Sequence, residues 1–349
     1  MFRMSLRFFS MKRIFFLFIL LSLHPVLAWD YEGHRVVNQL ALASLPTNFP
    51  GFVRKPVAAA RVAFLAGEPD RWRNTPDLPL KHFNEPDHYI DVEELALYGM
   101  KPESLPVFRD DFIAQLALVR NAHPESFVVP DAANDKAHTR QLVGLLPWAI
   151  TENYGKLKSG FSYLKAFESG GGTPEEISNA QENILYIMGV MGHYVGDAAQ
   201  PLHTTIHHHG WVGENPQRYS TNRSFHSWID GGYFRKVHGA NLKDMEARLR
   251  PARVVSLGDR PAKPEEMFKA AMAFIVEQRK MLEPLYQLEK EGKLSGEGEG
   301  RAFLESQLLK GGQMLGDIWY SAWEQAPADS YLLEDLGRRS QSHAGSEKK

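Results

Sequence analysis

The stretch MGHYVGDAAQPLHTTIHHHG, residues 191–210, decides how this chain is read. It carries five of the fourteen histidines, with Asp197 and Pro201 between them. The run ISNAQENILYIMGVMGHYVGDAAQ leads into it and is apolar over much of a helical circumference, so a buried helix is expected from about 175 to 200. ESGGGTPEE at 168–176 supplies its start, with Thr173 as N-cap and Pro174 in the first turn. Pro201 should end the helix and turn the chain. His193 and Asp197 are four apart and share a helix face, and His203 can point back from beyond the last turn. His226 and Asp230 repeat the four-residue spacing further on. A carboxylate on so apolar a helix is costly to bury without a partner, and either a metal ion or an arginine would supply one. Two His-x3-Asp pairs with a histidine between them offer the nitrogen and oxygen donors that zinc takes. His207, His208 and His209 read as a solvated loop rather than as ligands.

Working outward, helical periodicity recurs in EGHRVVNQLALASLP, in PVAAARVAFLAGEPD, over 104–121 and 139–167, in FHSWIDGGYFRKVHG, over 264–292 and over 301–326. No strand run and no internal repeat stands out. At 349 residues with 43% hydrophobic content, the chain can bury one sizeable core. The expected fold is all-α, a single multi-helical domain over 29–335, with functional groups on helix ends and loops. GRRSQSHAGSEKK at the C-terminus is polar, and 336–349 is expected to be a disordered tail.

The first 28 residues differ from the rest. MFRMSLRFFSMKR is basic, IFFLFILLSL is apolar, and Val26 and Ala28 stand three and one before Trp29. That is the layout of a secretory signal peptide cleaved before Trp29, and its apolar run is short for a span. The expected location is therefore the periplasm or the outside of the cell. Removing the segment takes four basic residues and no acid, so the net charge of −2 falls to −6. This acidic balance excludes adhesion to nucleic acid through bulk positive charge. With no cysteine at all, rigidity outside the cell must come from the core or from metals. Cleavage also frees the α-amine of Trp29, which can chelate a metal together with its own carbonyl oxygen, five residues before His34.

Taken in order, WDYEGH, DRWR, HYID, HYVGDAAQPLH and FHSWID resemble the motifs of the phospholipase C/P1 nuclease superfamily, the zinc phospholipases C and the S1/P1-type single-strand-specific nucleases. The likeness runs from Trp29 to about Asp230. It implies an all-α fold with a trinuclear zinc cleft, so three zinc ions per chain. The resemblance assigns Asp70, His88, His193 and Asp197 to the first ion, and His203, His226 and Asp230 to the second. It assigns the amine and carbonyl of Trp29, His34 and a bridging Asp197 to the third. Aspartate at 230 leans toward the nucleases, since the phospholipases have glutamate there. Asp70 and His88 lie eighteen residues apart, a wide spacing that an insertion in NTPDLPLKHFNEP would explain, and His82 within it is a rival to His88.

The same resemblance implies the chemistry. A zinc-bound hydroxide would attack phosphorus, since zinc lowers the pKa of its water to about 7. Arg73 would stabilise the phosphate in the transition state, with Asp70 beside it, and Tyr89 and Asp91 would contact a base. The expected function is a zinc-dependent endonuclease giving 5'-phosphorylated products from single-stranded DNA or RNA. The expected protein is a monomer without an obligate protein partner. A phospholipase C or phosphomonoesterase is the runner-up, with phospholipid as substrate, and a non-catalytic zinc-binding protein is the alternative of another class. The chain departs from the nucleases where GWVGENPQ, at 210–217, replaces a GGN stretch, and in lacking disulfides.

Overall fold

A computed structural model describes residues 31–346, so the expected signal peptide and Trp29 lie outside the described residues. Fourteen α-helices follow one another: α1 (Tyr31–Ser44), α2 (Pro56–Leu65), α3 (Glu68–Arg73), α4 (Leu78–Asn84), α5 (Arg109–Ala122), α6 (Leu146–Gly170) and α7 (Pro174–Ala199), then α8 (Phe225–Ser227), α9 (Tyr233–Lys236), α10 (Leu242–Glu246), α11 (Met267–Arg279), α12 (Leu282–Lys290), α13 (Glu299–Glu324) and α14 (Ser330–Ser346). The expected all-α, single-domain fold is what these helices build. A two-residue antiparallel ladder, Ser256–Leu257 against Arg260–Pro261, is the one strand pairing among the described residues.

Helix α7 is the axis. Thr173 caps it by accepting from the Glu176 N–H, while the Glu176 side chain accepts in return from the Thr173 N–H. Pro174 opens the first turn, and Gln200 with Pro201 closes the last. From Met188 to Ala199 every residue is buried, because α1, α2, α6 and α13 surround that half. The close approach depends on Gly192, where a methyl group would overlap the Asn38 amide oxygen. Asn38 in turn donates to Val62 O at 2.8 Å and to Gly189 O at 3.0 Å, tying α1 to α2 and α7. These contacts place His34 of α1, Asp70 of α3, and His193 and Asp197 of α7 in one layer.

Proline and glycine correct the expected helix limits. The helix expected from 104 begins at Arg109, since Pro106 cannot sit in a helix interior. The one expected from 139 begins at Leu146, after Gly144 turns the chain with φ +94°. The single helix expected over 264–292 breaks at Lys280–Met281, so that Pro284 falls in the first turn of α12, where no N–H is required. The tail expected to be disordered from 336 is helical through Ser346. Leu336 is buried, and Arg339 donates to both Glu176 oxygens at 2.8 and 3.2 Å. Polar composition concealed this anchored face.

Candidate metal centre

Three groups of side chains bring donor atoms together: His88, His193 and Asp197; His203, His226 and Asp230; and His34, Asp70 and His193. Every expected ligand among the described residues is in one of them. Asp197, fully buried, stands at the middle. Its Oδ2 lies 3.0 Å from His88 Nδ1 and 3.3 Å from His193 Nε2, and its Oδ1 lies 3.5 Å from both His34 Nε2 and His203 Nδ1. The grouping differs from expectation: Asp70 falls with His34 and His193 rather than with His88, and His34 falls with them rather than with Asp197.

Backbone carbonyls fix the rings. His193 Nδ1 donates to Ala66 O at 2.7 Å, and His203 Nδ1 donates to His88 O at 2.6 Å. Each bond leaves Nε2 turned inward with its lone pair. His193 Nε2 then faces His88 Nδ1 at 2.9 Å, and His203 Nε2 faces His226 Nε2 at 3.1 Å. Facing imidazole nitrogens need a proton or a cation between them. Tetrahedral zinc with bonds of ~2.0–2.1 Å spaces its donors ~3.3 Å apart, within a few tenths of an ångström of these separations. Both Asp70 oxygens, Asp197 Oδ1 and His88 Nε2 are buried without a hydrogen bond. Orphaned carboxylate oxygens beside inward-facing imidazoles are the donor set that fits a divalent metal, as residues meant only for packing would not.

Most of the charges agree with this reading, the exceptions being Asp70, which burial raises, and His193. Burial alone would raise the Asp197 carboxyl, but His203, His193 and His88 outweigh it and hold it well below the usual range, so it is a carboxylate. Burial pulls His34, His88 and His203 down, and pulls His226 down to about 3 with help from His208 and Arg73. Burial also acts on His193, but Asp197 and Asp70 overcome it and raise that ring. Neutral imidazole is the form that binds metal.

Above the clusters opens a cavity of about 570 Å³. Arg73 lies in its wall, with Nε 2.8 Å from Asp70 Oδ1 as an ion pair lacking hydrogen-bond alignment. It shares that wall with His88 of the first group and with His203, His226 and Asp230 of the second. Tyr89 and Asp91 line the same cavity. The Tyr89 hydroxyl donates to Leu142 O at 3.3 Å, which fixes the ring. Burial, then Glu94 and Glu93, push the Asp91 carboxyl above the usual carboxylate range.

The histidine run joins none of the three groups, as expected, and is solvated only in part: His209 is exposed while His207 is not. His207 is buried, stacks on Trp211 at 4.0 Å and accepts from Val212 N at 3.1 Å. His208 and His209 line the cavity. Glu93 holds the loop by accepting from Thr205 Oγ1 at 2.7 Å and pairing with Arg279. His82, the rival to His88, bonds instead to Ala137 O at 2.7 Å and joins none of the three groups. Asp230 rides on a π-helical turn, Trp228–Gly232, directly after α8. Sequence reading passes over Gln200, fully buried between Asp197 and His203, whose Nε2 donates to Asp230 Oδ1 at 2.8 Å. Its position inside DAAQPLH, flanked by two ligands, is the available signal.

Neither a family model nor a curated protein matches this chain. The geometry by itself establishes an all-α domain with three His/Asp clusters, each able to hold a metal ion, as a metal-dependent enzyme requires.

Proposed function

We propose that the chain is an exported, zinc-dependent phosphodiesterase of the phospholipase C/P1 nuclease kind, acting on single-stranded DNA or RNA and leaving 5'-phosphorylated products. The observation that carries this reading is Asp197, a fully buried carboxylate with each oxygen facing a different pair of histidines. His88, His193 and Asp197 would hold one ion, with Asp70 beside His193 from the neighbouring group, and His203, His226 and Asp230 a second. The amine and carbonyl of Trp29 would hold a third with His34 once cleavage exposes them. Zinc, when bound, supplies a Lewis acid that makes water acidic enough to attack near neutral pH and offsets charge on phosphate oxygens.

The chain's own residues do the rest. Arg73 would grip a phosphate oxygen with its guanidinium, which Asp70 orients. Tyr89 offers a ring held in place for stacking, and Asp91, in the same cavity wall, offers acceptor oxygens to a base edge. The acidic chain would then meet its polyanionic substrate through the ions and Arg73 rather than through a basic surface. We place the mature monomer in the periplasm or medium.

Phospholipid is the second reading, and one observation favours it. Helix α4 contributes Lys81 to the cavity wall and leaves Leu78, Leu80 and Phe83 exposed. Such a rim suits an amphiphile. Side-by-side hydrolysis of single-stranded DNA, RNA and phosphatidylcholine by the processed protein separates the two. Cleavage of nucleic acid is the expected result, and cleavage of lipid alone reverses the order.

A further inference from the structure

We infer that Gln200 is a positioning residue that orients the Asp230 carboxylate toward the ion of the His203–His226–Asp230 group, an inference that rests on the metal reading above. Gln200 is fully buried and is bonded at both ends of its amide. The Leu202 N–H donates to Oε1 at 2.8 Å, so the opposite end must be the NH₂ and must be the donor to Asp230 Oδ1. That bond fixes which Asp230 oxygen is turned aside. The other, Oδ2, lies 3.0 Å from His226 Nε2, on the side where the group converges.

The backbone of Gln200 tightens the arrangement. Its N–H donates to Asp197 O at 3.0 Å, and its carbonyl accepts from His203 N at 3.0 Å. One residue therefore touches a donor residue of the first group and two of the second. Asp230 sits on a π-helical turn, Trp228–Gly232, a wider turn than the α-helix that carries His193 and Asp197. A neutral donor suits that role, because it stabilises the carboxylate and leaves its full charge for the cation. Glutamate at 200 would set a carboxylate oxygen against Asp230 Oδ1, and methionine would remove the donor while keeping the length.

The test is zinc titration of the metal-stripped, processed protein against a chromophoric chelator, for wild type, Gln200→Glu and Gln200→Met. Three sites are expected in wild type. In both variants two sites should keep wild-type affinity, while one weakens ~10–100-fold, the usual effect of losing a partner of a metal ligand. If Gln200→Glu fails to fold, Gln200→Met decides, because it adds no charge. Three sites at wild-type affinity in the variants overturn the inference, as does equal weakening of all three, which a merely structural residue would produce. Wild type that takes up no zinc removes the metal reading itself, and this inference with it.

Discussion

His193 and Asp197, one turn apart on α7, aim at the same point, with Nε2 and Oδ2 3.3 Å apart and both side chains fully buried. Helical spacing brings them together, and burial gives them consequence. In water such a pair would be a weak surface contact; here each must be satisfied by something within the site. Asp197→Asn keeps the shape and removes the charge. It should lose more than the ~10–100-fold in metal affinity that residues behind a ligand cost, and hydrolysis with it. Wild-type zinc content in that variant, measured by elemental analysis, would refute the bridging role.

Arg73 is separable from the metals. Arg73→Lys retains a positive charge beside Asp70 but cannot offer two parallel N–H groups to a phosphate. Zinc content should be unchanged and kcat should fall by ~10²–10³-fold, as for loss of one transition-state donor elsewhere. An unchanged kcat would return Arg73 to the role of an ion-pair partner.

Stability toward acid has an identifiable source at the far end of α7. Hydrogen bonds from the Arg339 side chain, then from the Thr173 N–H, lower Glu176 from 4.5 to about 2. A depressed acid stabilises the fold fully above its unfolded pKa, and that contribution disappears as pH falls through the folded one. The docking of α14 should therefore weaken between pH 4.5 and about 2. Thermal midpoints followed across that window should decline more steeply in wild type than in Glu176→Gln. Parallel curves would contradict the assignment.

Packing at the axis can be tested without touching a ligand. A methyl at position 192 meets the Asn38 amide and Leu315, neither of which has room to retreat. Gly192→Ala should destabilise by ~1–3 kcal/mol, the usual cost of overpacking, and read out as a lower denaturation midpoint. Undiminished stability would mean that α1 and α7 are not held so closely.

The sequence carried the site further than the fold. His193, Asp197, His203, His226 and Asp230 were legible because ligand chemistry demands fixed residue types at helical spacing, and these survive as a pattern along the chain. What the pattern could not convey is pairing across elements. Asp70 lies with His34 and His193 across separate helices, and no local signal encodes that. The burial of His207 was hidden for the same reason: Glu93, Arg279 and Tyr286 hold the loop from distant segments. Helix α14 looked disordered because its polar residues outnumber the few apolar ones that anchor it, and Glu176, which binds Arg339, lies 163 residues away.

The central claim is that cations, and not protons alone, fill the space around Asp197. The most direct test is the zinc content of the purified chain beginning at Trp29, determined after dialysis against zinc and removal of the free ion. Three ions per chain is the expected result. A chain that retains none, while folded with these side chains in place, would contradict it.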